Sequence, residues 1–352
     1  MRTHEIIVLV SIALLASEFC LRLRHHEWKL FRDPNSKPQS SRFYDFEKIS
    51  SIEPHKNCDY LTKEFWLEMQ NLTKDRSGIK MTNDSGNRYL VAKNCNGRLF
   101  SVEENLRTTL FSPKFSTRNY FLFGSSTLHN FEVPNHLTTA TMIQKIFSGS
   151  NAELTVHNYG VSGATLKNNF ARMQAVEHKF NDGDLIVLLF GINDVGLDTY
   201  SSYESVILKI IRRLGDTSLL IRTIHRRLAQ SGWKKHAKIT AQHKIKLLEE
   251  IYEWATLKNI KFKAILEPVL HLKQNPNNYE VALRKSFGQK LEVLYKFGYE
   301  EFIRLLDPKF AASTTNVFNQ TDPSVFLDQA HINAVGTELL AAEIVKLTTP
   351  CL

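Results

Sequence analysis

Four short stretches of the chain hold residue types that can do chemistry together. Asn119 to His129 reads Asn-Tyr-Phe-Leu-Phe-Gly-Ser-Ser-Thr-Leu-His, an apolar run that stops at Gly124 and leads into Ser125 and Ser126. Asn158-Tyr-Gly-Val-Ser-Gly163 supplies a glycine with a free N–H, and Gly191-Ile-Asn-Asp194 supplies an asparagine amide. Phe326-Leu-Asp-Gln-Ala-His-Ile-Asn333 carries an Asp-x-x-His pair. A serine hydroxyl is a weak nucleophile until a neighbouring base takes its proton. His331 can be that base, and Asp328 can fix its tautomer and stabilise the imidazolium that forms. The N–H groups of the serine and of Gly163, with the amide of Asn193, can face an oxyanion. One such donor is worth about 3–4 kcal/mol of transition-state stabilisation. These types suit attack on an acyl carbonyl.

Taken singly, each stretch has a plainer reading. A Ser-rich segment after a glycine is commonly a turn, as is Gly-x-Asn-Asp, and Gly160 and Gly163 alone read as turn glycines. An isolated Asp-x-x-His is commonly surface or helix-cap chemistry. Gly160-Val-Ser-Gly163 is not a nucleophile elbow of the GxSxG kind, because its second glycine comes one residue early. No P-loop, HExxH or dinucleotide fingerprint occurs. His225 and His271 read as surface or capping histidines.

Position gives the stretches joint weight. The pattern predicts strands at 119–123, 153–157, 184–190 and 260–266, with a fifth strand or a helix end at 301–306. Helices are expected at 137–148, 166–180, about 201–230, 238–258, 278–297 and 333–347. The 184–190 segment is apolar almost throughout, as a strand covered on both faces should be. Strands alternating with helices predict a parallel sheet with helices on both faces. Three of the four stretches then follow the first three strands and share one end of that sheet, where open α/β sheets keep their sites.

The four stretches, in this order, resemble the four sequence blocks of the SGNH (GDSL-type) serine hydrolases. The resemblance covers about Asn119 to Leu347. It implies a three-layer α/β/α fold with a central parallel five-stranded, flavodoxin-like sheet. It puts Ser126 in the nucleophile place, Gly163 and Asn193 with Ser126 at the oxyanion hole, and Asp328 and His331 as acid and base. Ser125 stands where the family's namesake motif commonly has Asp. No cofactor or metal is expected. The activity implied is hydrolysis of a carboxylic ester, with an O-acyl group on a cell-envelope or extracellular carbohydrate as the preferred substrate. The alternatives are a lipid acyl ester, acyl transfer to a sugar hydroxyl, and a glycan-binding or assembly module with a vestigial site.

Composition bounds the rest. The chain has 352 residues, 43% of them hydrophobic and 11% aromatic, which suffices for a large core. The formal charge is +9 and the pI about 9.2, which fits an anionic polymer or membrane surface. Nucleic acid is not expected, since basic residues are not interleaved with aromatics. Of Cys20, Cys58, Cys95 and Cys351, no two form a CxxC. A Cys58–Cys95 pair and two separate thiols stay open. Residues 1–26 form a hydrophobic segment, apolar through 6–23, which reads as an uncleaved membrane anchor before a cleaved signal or a buried helix. An anchored catalytic domain is expected outside the cytoplasm, although the basic cluster after the segment argues the opposite orientation. Residues 27–116 read as linker and appendage, with a helix at 64–72 and strands at 88–92 and 98–102 around a turn at 94–97. Residues 117–352 make the main domain. Within it, about 200–258 is a helical insertion whose basic run, Lys209 to Lys246, reads as a lid over the site or a solvated face. Asn71, Asn83 and Asn319 head glycosylation sequons. Nothing in the sequence sets an oligomeric state.

Overall fold

The computed structural model describes residues 46–56, 58–73, 79–84, 87–150, 153–196 and 219–352. The expected anchor, most of the linker and residues 197–218 of the insertion lie outside the described residues. Among those described, no helix is long and apolar enough to cross a membrane.

The N-terminal part holds helix α1 (Lys63–Thr73) and strands β1 (Ile79–Asp84), β2 (Asn87–Ala92), β3 (Cys95–Asn96), β4 (Ser101–Glu103) and β5 (Leu106–Arg107). Then follow β6 (Arg118–Gly124), α2 (Ser126–His129), α3 (Thr139–Gly149), β7 (Leu154–Gly160), α4 (Leu166–Ala175), β8 (Leu185–Phe190) and α5 (Leu219–Leu257). Strand β9 (Lys261–Leu266), α6 (Asn278–Ser286), α7 (Gln289–Leu305), β10 (Ala311–Ser313) and α8 (Ala334–Thr348) complete the chain.

The main sheet runs β10-β9-β8-β6-β7-β5-β4-β3. Its first five strands in that order are parallel to their neighbours. Counted along the chain, they lie 2-1-3-4-5, the flavodoxin-like order, with the switch point between β6 and β8. Sequence alternation splits the core in two. Phe121, Phe123, Ile186, Leu188 and Phe190 face one layer with Leu166 and Met173 of α4, Leu248 and Ile251 of α5 and Phe302 of α7. Tyr120, Leu122, Leu185, Val187 and Leu189 face the other, with Ile143 and Phe147 of α3 and Leu340 and Ile344 of α8. Every residue of β8 is buried, so its apolar run has no polar side to show.

Several expectations need correcting. The expected hairpin of 88–92 with 98–102 does not form. β2 pairs antiparallel with β1, while β3, β4 and β5 pair in sequence and carry the main sheet past β7 in antiparallel sense. The expected appendage therefore supplies three strands to the sheet. Of the two readings of 301–306 the helix end holds, since the segment closes α7, and the fifth parallel strand is β10. Helical spacing wins there because Tyr295, Tyr299 and Phe302 bury one face and Glu301 pairs with Arg304 on another. Helix 278–297 breaks at Gly288, whose φ of +80° ends α6 before α7 begins. Conversely α5 runs straight through Gly232, at a cost of about 1 kcal/mol against Ala. The stripe Ala237, Ala241, Ile245, Leu248, Ile251 and Ala255, buried along one side, offsets that cost. Cys58 and Cys95 are free thiols, so the disulfide option falls.

Candidate active site

The site is built on three strand ends. β6 stops at Gly124, Ser125 is extended (φ −97°, ψ −157°), and Ser126 opens the short helix α2. Asn130 ends that helix in the left-handed region (φ 54°), and its side chain ties both ways, donating to Thr127 O at 2.6 Å and accepting from Thr139 N at 2.9 Å. The two serines part at this turn. Ser125 is buried and its Oγ bonds Thr127 Oγ1 at 2.9 Å, whereas Ser126 keeps exposure.

His331 comes from the loop before α8. An antiparallel bridge between Phe326 and Ile332 closes that loop, and Leu327 N donates to His331 O at 2.8 Å. Asp328 shapes its inside: Oδ1 accepts from Ala330 N at 2.8 Å and from His331 N at 2.9 Å. Its Oδ2 lies 2.7 Å from His331 Nδ1, and His331 Nε2 lies 2.8 Å from Ser126 Oγ. A carboxylate at Nδ1 assigns a proton to that nitrogen, so that in the neutral imidazole Nε2 is the atom that accepts from the serine. The structure thus brings Ser126, His331 and Asp328 into one hydrogen-bonded line. Burial would raise the Asp328 carboxyl, but the facing imidazole and the two amides outweigh it and hold it below its ordinary value. Burial would lower His331, but the carboxylates of Asp328 and then Glu132 outweigh it and push it up to about 10.

Gly163 and Asn193 belong to the loops that follow β7 and β8. Gly160 is the last residue of β7, not a turn residue, and pairs with Gly124 of β6. Val161 N donates to Gly124 O at 3.2 Å, which stitches the loop after β7 to the end of β6. Gly163 has φ +77°, a conformation that favours glycine. Asn193, in the helical turn 192–196 after β8, donates from Nδ2 to Ala164 O at 3.0 Å, next to Gly163. The second hydrogen of that amide has no partner among the described residues. The N–H groups of Ser126 and Gly163 donate to no group among the described residues. Asp194 braces the pair of loops: Oδ1 accepts from Leu166 N at 2.8 Å and Oδ2 from Gly191 N at 3.2 Å.

Two carboxyls at the site belong to none of the four stretches. Glu132, on the segment between α2 and α3, places Oε1 3.8 Å from His331 Nε2. Glu267, directly after β9, accepts from Thr127 Oγ1 through Oε2 and leaves Oε1 without a partner among the described residues. Burial pushes Glu267 up to about 7, and the nearby Asp194 adds to that. A strand ending in Glu267-Pro268 was a readable signal for the second carboxyl; nothing in the sequence marked the first.

Residues 209–218 of the basic run lie outside the described residues, and two of its described lysines pack against the domain. Lys244 turns inward to within 3.5 Å of Asp194 Oδ1 with 12% of its side chain exposed, and Lys234 sits 4.1 Å over the Phe297 ring. His271 is buried and stacks on Tyr295 at 5.6 Å, which corrects its reading as a surface or capping residue. Among the described residues no three His, Cys, Asp or Glu side chains are grouped to hold a metal ion.

No protein-family model and no curated protein matches the chain. Solved structures with a similar course include a lipolytic protein of the G-D-S-L family from Veillonella parvula, 13% identical, with a TM-score of 0.39 over 66% of this chain and 99% of the other. A lipase/acylhydrolase from Enterococcus faecalis is 16% identical, with a TM-score of 0.39 over 66% of this chain and 96% of the other. An acetylxylan esterase from Geobacillus stearothermophilus is 16% identical, with a TM-score of 0.39 over 66% of this chain and 94% of the other. Likeness at that level assigns no function, which has to come from the geometry of the site.

Proposed function

We propose that the chain is a serine esterase of the SGNH type. The carrying observation is the line Ser126 Oγ, His331 Nε2 and Nδ1, Asp328 Oδ2, with contacts of 2.8 and 2.7 Å. In this reading Nε2 takes the Ser126 proton as Oγ attacks the acyl carbon. The carbonyl oxygen gains charge facing the N–H groups of Ser126 and Gly163 and the Asn193 amide. The imidazolium, held by Asp328, then gives its proton to the departing alcohol. Water attacks the acyl-enzyme with His331 again as base, and the acid leaves.

An O-acylated carbohydrate is the proposed substrate. Glu132 supports it, because a carboxyl 3.8 Å from Nε2 offers an acceptor where the alcohol departs, and a polyol has spare hydroxyls to meet it. A simple alkyl alcohol has none. The same reading places the domain outside the cytoplasm, tethered through residues 6–23.

The test is hydrolysis of short p-nitrophenyl esters and labelling by a fluorophosphonate. Wild type and Ser125→Ala should react, and Ser126→Ala should do neither. A wild type that neither turns over nor labels sinks the enzyme reading in favour of a binding module. Preference for long-chain over acetyl esters would replace the carbohydrate with a lipid.

A further inference from the structure

We propose that Glu132 is a second carboxylate on the His331 imidazole and sets the charge that the base carries before substrate arrives. The inference rests on the hydrolase reading above. Geometry carries it. Nδ1 has Asp328 Oδ2 at 2.7 Å, and Nε2 has both Ser126 Oγ at 2.8 Å and Glu132 Oε1 at 3.8 Å. The imidazole therefore lies between two carboxyls, one at each nitrogen. Only 12% of the Glu132 side chain is exposed, so water screens the pair weakly.

Glu132 is held there. Arg107, fully buried, donates to His129 O at 3.3 Å, to Val133 O at 3.0 Å and to Asn135 Oδ1, pinning the chain on both sides of residue 132. None of these guanidinium bonds goes to Glu132 itself. His331 is its one ion-pair partner among the described residues. The charged and titratable groups around the pair are few. Asp328, Glu132 and Glu267 act on His331. His331, Asp328 and Arg107 act on Glu132, and Tyr60 of the N-terminal segment feels its charge.

A charged imidazole cannot take the Ser126 proton. Two flanking carboxylates favour that charged form, so the resting site holds its base in reserve at neutral pH. Moving the Nε2 proton to Glu132 Oε1 neutralises both groups at once and leaves Nε2 free to accept from Ser126. Burial, which raises the Glu132 carboxyl, makes it a ready acceptor for that proton.

The experiment compares kcat/KM against pH for the intact wild type and Glu132→Gln on a short p-nitrophenyl ester. Without the second carboxylate the acid limb should move to lower pH by about one unit or more. An unmoved limb in a folded variant overturns the proposal. Side-chain 15N NMR titration of His331, identified by the resonance missing in His331→Gln, follows the same shift with no turnover at all. If neither protein hydrolyses ester, the hydrolase reading fails, and the titration still decides what Glu132 does to the imidazole. If Glu132→Gln does not fold, Glu132→Asp withdraws the carboxylate by one methylene and should lower the His331 midpoint in the same direction. A midpoint unchanged in that variant also overturns the proposal.

Discussion

Gly160 lies so close to His129 that a β-carbon on it would run into the His129 backbone nitrogen. Backbone cannot swing aside as a side chain can. The short helix that begins at Ser126 is thus seated directly on the end of β7, and the glycine sets how deep it sits. Asn158 adds to the seating by donating to Leu128 O at 3.1 Å. Gly160→Ala should lift α2 away and carry Ser126 Oγ out of reach of His331. We expect fluorophosphonate labelling to slow by about 100-fold, as misplacement of about 1 Å does. Overpacking should cost about 1–3 kcal/mol in denaturant unfolding. Labelling at the wild-type rate would show that the helix has room to settle.

Arg107, like Arg172, is a charged side chain wholly buried among the described residues, and no carboxylate there bonds it. Its guanidinium donates to Ser101 O, Val133 O and His129 O and lies 3.8 Å from the Phe100 ring centroid. Burial pulls it down to about 9. Arg107→Met keeps much of the volume but leaves the Val133 and His129 carbonyls without that donor, each costing about 1–3 kcal/mol, while Ser101 O keeps Thr108 N. The variant should unfold at markedly lower denaturant, and its remaining folded fraction should lose esterase activity because segment 129–135 carries Glu132. A variant as stable as wild type would mean that water replaces the guanidinium.

How much of this was readable beforehand varies with the physics of each part. Strands β6 to β9 showed because buried parallel strands need unbroken apolar runs, and Leu185 to Phe190 has one. β10 did not show, because Ala311-Ala-Ser313 has no such run and is a strand only through its pairing with β9. The antiparallel extension was hidden for the same reason: β3 and β5 have two residues each, and pairing, not propensity, makes them. At the site, residue types named Ser126, Asp328 and His331, but Ser125 and Ser126 are the same letter. The start of α2 separates them by turning one inward to Thr127 and the other toward His331. Glu132 and Glu267 follow no spacing rule, because each reaches the site from a different loop.

Glu267 makes stability depend on pH. Its folded value of about 7 lies above the usual 4.5. A carboxyl raised on folding gives stability that is complete below the unfolded value and is lost as pH rises through the folded one. Unfolding free energy should therefore fall between about pH 4.5 and pH 7 by about 3 kcal/mol, then level off. Glu267→Gln should flatten that slope while keeping the bond from Thr127. Urea melts at half-unit pH steps check it, and an equal slope in both proteins would assign the titration elsewhere.

Asp328→Asn separates orientation from charge at the base. The variant keeps an Oδ1 able to accept from the amides of residues 330 and 331, so the loop should hold its shape. The atom facing His331 Nδ1 at 2.7 Å becomes a donor while Oδ1 stays on those amides, or a neutral acceptor if the side-chain amide flips and gives them up. As a donor it forces the proton onto Nε2, and Nε2 can then no longer accept from Ser126. As a neutral acceptor it no longer stabilises the imidazolium. Either way kcat should fall, by about 10^4-fold if the tautomer flips. KM should stay nearly constant, since Asp328 touches no substrate. With the charge of Asp328 gone, the His331 imidazole also titrates lower, so a single rate at one pH would confuse the two effects. The full pH profile resolves them: loss of charge alone moves the acid limb down and leaves the plateau high, whereas a flipped tautomer lowers the plateau at every pH.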